Sequence, residues 1–152
     1  QNDFQFLSVA PAAGTILYHT ETILVCYSIE EPPMPYVDGF VLPIPIKKLN
    51  EYLDIATRAA EIWQEYGALA YWECVLDDAD AMEARTFPSL LATSPEETVI
   101  LAWAVFSDKA ARNEANGKIC TDPRVAELMD RDAPLFDLQR MAYGGFKTLV
   151  KK

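Results

Sequence analysis

MPYVDGFVLPIP, residues Met34–Pro45, and QRMAYGGFKTLV, residues Gln139–Val150, are the two stretches that decide the fold. In the first, Tyr36–Leu42 reads as a strand of β-branched and aromatic residues, closed by Pro43 and Pro45, which cannot donate to a ladder. In the second, Arg140–Val150 reads as a last strand, and Gly144–Gly145 at its centre marks a bulge or a close backbone approach. Two helices and two more strands lie between them.

Lys47–Tyr66 is the clearest helix, because Leu49, Tyr52, Leu53, Ala56, Ala59, Ala60 and Trp63 recur at three- and four-residue steps and form one apolar face. Gly67 sits where a left-handed C-cap belongs. Leu69–Leu76 is a second strand, ending in the acidic turn Asp77–Asp80, and a loop through Arg85–Pro95 follows. Thr98–Phe106 has eight apolar residues out of nine and reads as a strand buried on both faces. Ser107 is a candidate N-cap for a helix from Asp108 to about Cys120, and Pro123 begins a short turn through Met129. The order β-α-β-β-α-β is ferredoxin-like: an α+β fold with a four-stranded antiparallel sheet and two helices on one face. One sheet face is then left open, and it is too apolar to stay wet. A homodimer with facing sheets, enclosing a small barrel, satisfies it.

Residues 1–33 differ from the 34–152 domain. They hold Asp3, Glu21, Glu30 and Glu31 but no Lys or Arg, so they match neither a secretory signal nor an Arg-rich transit sequence. Thr15–Ile29 is rich in Thr, Ile, Val and Tyr, which suggests a strand-forming arm, and Pro32, Pro33 and Pro35 read as a linker. All 13 basic residues fall in 34–152, against 19 acidic ones. Such a surface repels phosphate backbones and anionic lipid, and Thr98–Phe106 lacks the basic residues of an RNA-binding sheet. No apolar run approaches the ~18 residues needed to span a bilayer. Nucleic acid and membrane are therefore not expected partners, and the expected location is cytoplasmic. Cys26, Cys74 and Cys120 have neither zinc spacing nor an even count, and read as reduced thiols.

Several motifs resemble the YbaA-like family of small bacterial proteins: Met34-Pro35-Tyr36-Val37-Asp38-Gly39-Phe40, the helix ending in Trp63, the Glu73-Cys74 pair, Thr86-Phe87-Pro88, and Arg140-Met141-Ala142-Tyr143-Gly144-Gly145-Phe146. The resemblance covers about 34–150. It implies a dimeric α/β barrel of the ferredoxin-like type and brings no activity with it. Sibling families of that architecture include cofactor-free monooxygenases and isomerases, so by analogy of fold alone the reaction class would be of that kind.

The residues themselves offer a candidate site. Alternation puts Tyr36, Asp38 and Phe40 on one face of the first strand, and Tyr71, Glu73 and Val75 on one face of the second. Asp38 and Glu73 are acids inside apolar strands, and in a closed barrel their pKa values would rise into a useful range for acid–base work. Arg140 or Tyr143 would orient a ligand, with Tyr36, Phe40, Tyr71 and Trp103 lining the pocket. The plainer reading is that Asp38 and Glu73 pair with Arg140 or backbone amides, or face solvent at a sheet edge. Trp63, Trp72 and Trp103 read as core and interface packing as readily as a pocket. His19, the one histidine, lies outside 34–152, so no cofactor or metal site is expected there; acidic turns at Asp77–Asp80 and Asp130–Asp132 read as solvated. Two functions compete: binding or converting a small, partly aromatic metabolite without a cofactor, and a non-enzymatic homodimeric structural or interaction module.

Overall fold

A computed structural model describes residues 34–80, 83–129 and 134–152, together with the backbone of strands within 15–28. The chain divides into two compact units, Gln1–Pro32 and Pro33–Lys152. In the first, β1 (Thr15–Thr20) and β2 (Ile23–Ser28) pair antiparallel, Thr20 opposite Ile23. The His19 side chain and the turn Asp130–Asp132 lie outside the described residues.

The second unit is the ferredoxin-like module. β3 (Tyr36–Pro45), α1 (Leu49–Glu65), β4 (Ala70–Val75), α2 (Phe87–Leu91), β5 (Glu97–Phe106), α3 (Lys109–Ile119), α4 (Pro123–Leu128) and β6 (Ala142–Lys147) follow in order. The sheet runs β4-β5-β3-β6 and every neighbouring pair is antiparallel. No helix among the described residues is long and apolar enough to cross a membrane.

Several boundaries differ from the sequence reading. Pro43 lies inside β3, which runs on to end at Pro45. β6 pairs with β3 only as far as Val41, so the odd-numbered residues beyond it have no strand on that side. Even-numbered residues keep the bonds to β5, as the Ile46 N–H donating to Glu96 O at 2.9 Å continues to show. Both prolines thus fall where no donor is required. Asp108, not Ser107, caps α3: its carboxylate accepts from the Ala111 N–H at 2.9 Å, and the Ser107 hydroxyl donates to it. A carboxylate at that position also gains from the helix dipole. The loop after β4 contains α2, and Arg140 belongs to a 3-10 turn, Leu138–Arg140, that precedes β6.

The end of α1 matches its sequence. Gly67 takes φ 104°, its N–H donates to Gln64 O at 3.0 Å and the Ala68 N–H donates to Trp63 O at 3.0 Å. Those are the two bonds of a Schellman cap.

α1 and α3 cover one face of the sheet; the other is open except at the end where Pro43 and Val99 are buried and α2 packs against β3 and β5. Leu42, Ile44, Ile100 and Ala102 pack under Tyr52 and Ala56 of α1. Ala104 and Phe106 pack under Ile62 of α1 and Ala115 and Ile119 of α3. The residues between them in sequence face the other way. Register brings together Val37, Gly39, Val41 and Pro43 of β3, Val99, Leu101, Trp103 and Val105 of β5, Ala70, Trp72 and Cys74 of β4, and Ala142, Gly144 and Phe146 of β6. None of these is charged. Trp72 and Phe146 are more than half exposed, at 55% and 59%, and Trp72 stacks on Trp103 with ring centroids 5.8 Å apart.

Candidate functional site: a carboxyl in an apolar cavity

Tyr71 and Glu73 are two apart on β4 and so share the helix-covered face. Across from them, Tyr52 sits on the apolar stripe of α1 and is buried. The Tyr52 hydroxyl donates to Glu73 Oε2 at 2.9 Å and the Tyr71 hydroxyl donates to Oε1 at 2.7 Å. The carboxyl lies on the wall of a half-open cavity of about 220 Å³ between helices and sheet. Phe40, Trp63, Tyr71 and Met141 are among its other walls. Phe40 meets Trp63 edge-on at 6.0 Å, and Trp63 lies 6.1 Å from Tyr71, so aromatic rings form a continuous band beside the carboxyl.

Burial pushes the Glu73 carboxyl above its ordinary range, and the two phenol bonds only partly oppose this. Burial first, and then the Glu73 charge, push Tyr52 and Tyr71 far up, so both remain protonated donors at any ordinary pH. The consequence for stability has a definite sign. From the ordinary glutamate value of 4.5 upward, the unfolded chain has lost its Glu73 proton while the folded chain still holds it, so stability falls as pH rises through that window. Glu73→Gln is therefore expected to flatten the loss of stability above pH ~4.5, measured by thermal unfolding across a pH series. An unchanged pH profile would refute a raised carboxyl.

Asp38 heads a second, separate cluster. It is completely buried, and Arg112 Nε stands 3.1 Å from its Oδ1. Asn116 Nδ2 donates to its Oδ2 at 3.2 Å. Arg112 and Asn116 are four apart on α3, which puts both on one helix face. The Arg112 guanidinium also donates to the Tyr36 hydroxyl at 3.2 Å and sits 4.8 Å from the centre of the Tyr36 ring. Burial, and then the Asp38 charge, raise the pKa of Tyr143. The Asn116 Oδ1 is buried with no hydrogen-bond partner among the described residues.

Gly145 faces Asp38 in register, and a Cβ there would collide with the Arg112 guanidinium and stand 2.7 Å from the Tyr36 hydroxyl. The glycine is the space through which Arg112 reaches Tyr36. Gly145→Ala is expected to cost about 1–3 kcal/mol in urea unfolding, the usual penalty for overpacking. A loss below ~0.5 kcal/mol would mean that Arg112 does not depend on this gap.

The two acids thus share a face without meeting. Glu73 aligns with Ala102 and Phe40, and Asp38 with Ala104 and Tyr71, so they are one register step and two strand spacings apart. That separation is roughly 12 Å. Of the residues singled out in the sequence, Phe40, Tyr71 and Glu73 line the cavity. Tyr36, Asp38 and Tyr143 form the neighbouring cluster, and Tyr143 touches the cavity wall through Phe40, 4.9 Å away between ring centres. Trp103 is on the opposite, open face. Arg140 pairs with neither acid: it holds Glu97 with both terminal nitrogens, at 2.7 and 3.1 Å, and donates to the carbonyls of Leu91 and Ala92. Its guanidinium bonds hold the Glu97 carboxyl down to about 2. The alternation that grouped Tyr36, Asp38 and Phe40 is present, but their face is the one beneath the helices, not the one that facing sheets would enclose.

Tyr52, Arg112 and Asn116 were not singled out as site residues. Tyr52 belongs to the apolar stripe of its helix, and nothing in a single sequence marks its hydroxyl as a partner of β4. The Arg112–Asn116 spacing of four, in a helix otherwise poor in large apolar residues, was the available signal.

Residues 35–137 match the family described as "Protein of unknown function (DUF1428)". The chain is 35% identical over 117 residues to the uncharacterized protein YbaA of Escherichia coli K12, covering 77% of this chain and 98% of that one, and equally so to the YbaA of Shigella flexneri. Among solved structures, it is similar to a nipsnap family protein of unknown function from Agrobacterium tumefaciens (12% identity, 78% of this chain and 91% of that one, TM-score 0.49). It is also similar to a dimeric ferredoxin-like protein from an uncultured marine organism (11% identity, 78% and 99%, TM-score 0.47). The sequence match and the identity over nearly the whole length of YbaA place the chain in one family: it belongs to the YbaA-like, DUF1428 proteins.

Proposed function

We propose that the chain is a homodimer through facing sheets, each protomer binding or converting a small, partly aromatic molecule in the cavity between its helices and sheet, without a cofactor. The observation that carries this is Glu73: a carboxyl held by two phenols on the wall of an otherwise apolar, aromatic cavity. Pockets of that composition, with one or two placed polar groups, are the usual form of a small-molecule site. A cavity of about 150 Å³ holds benzene, so about 220 Å³ suits one ring with a short arm. Glu73, raised by burial, is the group to give or take a proton.

The dimer reading rests on the open sheet face. Without the buried Pro43–Val99 end, four strands at about 4.8 Å spacing and five residues at about 3.4 Å each make a patch roughly 19 Å by 17 Å, which is still the size at which an apolar surface marks a partner site. The same face carries exposed aromatics, as an RNA-binding sheet would, but it has no basic residue to meet phosphates. A second copy is the better fit.

Native mass spectrometry of the purified chain tests both parts. The expected spectrum is a dimer that carries a reproducible additional mass of a small organic molecule, lost on mild activation. A bare dimer that takes up no member of a panel of small aromatic compounds would favour the non-enzymatic module. A bare monomer would remove the facing-sheet arrangement.

A further inference from the structure

We propose that the occupant of the Glu73 cavity is a protonated amine on a small aromatic or aliphatic skeleton, in preference to a neutral or anionic compound. This rests on the reading of the cavity as a ligand site and narrows its substrate class by counting donors, acceptors and charge.

Among the described residues that line the cavity, Glu73 is the one that carries a charge. No lysine or arginine among the described residues forms an ion pair with it. Its partners are the hydroxyls of Tyr52 and Tyr71. A phenol has a single hydrogen to give, and both have given theirs to the carboxylate. Each carboxylate oxygen accepts one of these bonds and retains capacity for another. With Glu73 ionised, its oxygens are the acceptors that remain, and the Trp63 indole N–H is the one side-chain donor on the described walls not already given to them. A ligand that meets the carboxylate must bring N–H or O–H groups, and an ammonium brings three and no acceptor of its own.

The apolar walls agree. Phe40, Trp63 and Tyr71 form a linked band of rings beside the carboxyl. Ring faces carry negative charge density, which attracts a cation and repels a carboxylate. An incoming ammonium would also supply the counter-charge that the half-buried Glu73 lacks. A carboxylic acid ligand would instead set two anions side by side in an apolar enclosure, with no cation on the described walls to separate them.

The test is calorimetric titration of the full chain with three compounds of similar size: 2-phenylethylamine, 2-phenylethanol and 3-phenylpropionate. The amine is expected to bind at least about tenfold tighter than the alcohol, the margin of a charge-assisted over a neutral hydrogen bond. The carboxylate is expected to bind more weakly than the alcohol. In Glu73→Gln the amine should lose its advantage and bind no tighter than the alcohol, while continued binding of the alcohol, even if weaker, reports an intact cavity. If that variant does not fold, judged by near-ultraviolet circular dichroism, the ranking on the unaltered chain decides. Alcohol or carboxylate binding as tightly as the amine overturns the amine assignment while leaving the cavity a ligand site. Failure of all three at millimolar concentration overturns the assignment and the ligand site together.

Discussion

Asp38→Ala is expected to lower the unfolding free energy by about 3–5 kcal/mol, the cost of breaking a buried ion pair by removing one member. In a chain of this size that corresponds to a fall in Tm of roughly 10 °C. The carboxylate is completely buried, and the side chain of Arg112 that faces it is only 17% exposed. Without Asp38, Arg112 keeps a single neutral oxygen, that of Tyr36, and Asn116 loses the acceptor of its amide. The penalty is mainly that of a stranded charge rather than of a lost attraction. A double variant, Asp38→Leu with Arg112→Met, should accordingly recover most of the loss, since an apolar pair of similar volume often replaces a buried ion pair at little cost. Urea unfolding of the two variants checks this. A single-variant loss below ~1 kcal/mol, or a double variant no better than the single one, would contradict it.

Trp103→Glu is expected to turn the proposed facing-sheet dimer into a monomer while leaving the protomer folded. Trp103 is on the central strand β5, stacked on Trp72, and its side chain points away from the core that Ala102 and Ala104 help to form. A carboxylate placed there must either be buried without a partner between two sheets or keep those sheets apart. The first costs several kcal/mol, and each ~1.4 kcal/mol is tenfold in a dissociation constant. Sedimentation equilibrium should therefore show dimer dissociation strengthened by a hundredfold or more, with far-ultraviolet circular dichroism unchanged. A variant that stays dimeric at micromolar concentration would place the interface elsewhere.

The architecture was legible in the sequence because its signals were strong and local. Lys47–Tyr66 repeats its apolar residues at helical spacing up to Gly67, and the cap is where the glycine predicts it. Thr98–Phe106 is apolar on successive residues, and it is one of the two inner strands, flanked by β3 and β4. Acidic residues at Asp38 and Glu73 stood out against their apolar strands.

The surroundings of those acids were not legible, since they depend on contacts between distant segments. The partners of Asp38 lie 74 and 78 residues further on, at Arg112 and Asn116, and one of the two partners of Glu73 lies 21 residues back, at Tyr52. Alternation also says which residues share a face but not which face the helices cover. Covered by helices, that face gives Glu73 a cavity within one protomer and gives Asp38 a buried salt bridge. Arg140, set among the family-like residues before the last strand, is drawn instead to Glu97 and the end of α2.

The central claim is that the space between helices and sheet receives a small molecule beside Glu73, and filling that space tests it most directly. Ala59 lines the cavity from α1, and Ala59→Phe would occupy it. The measurement is the chemical-shift response of the full chain to 2-phenylethylamine, in the unaltered protein and in Ala59→Phe. Saturable shifts centred on Phe40, Tyr71 and Glu73, abolished by Ala59→Phe in a folded protein, are the predicted result. Shifts that survive the filled cavity, or that centre on Trp72, Trp103 and Phe146 of the open face, would contradict it.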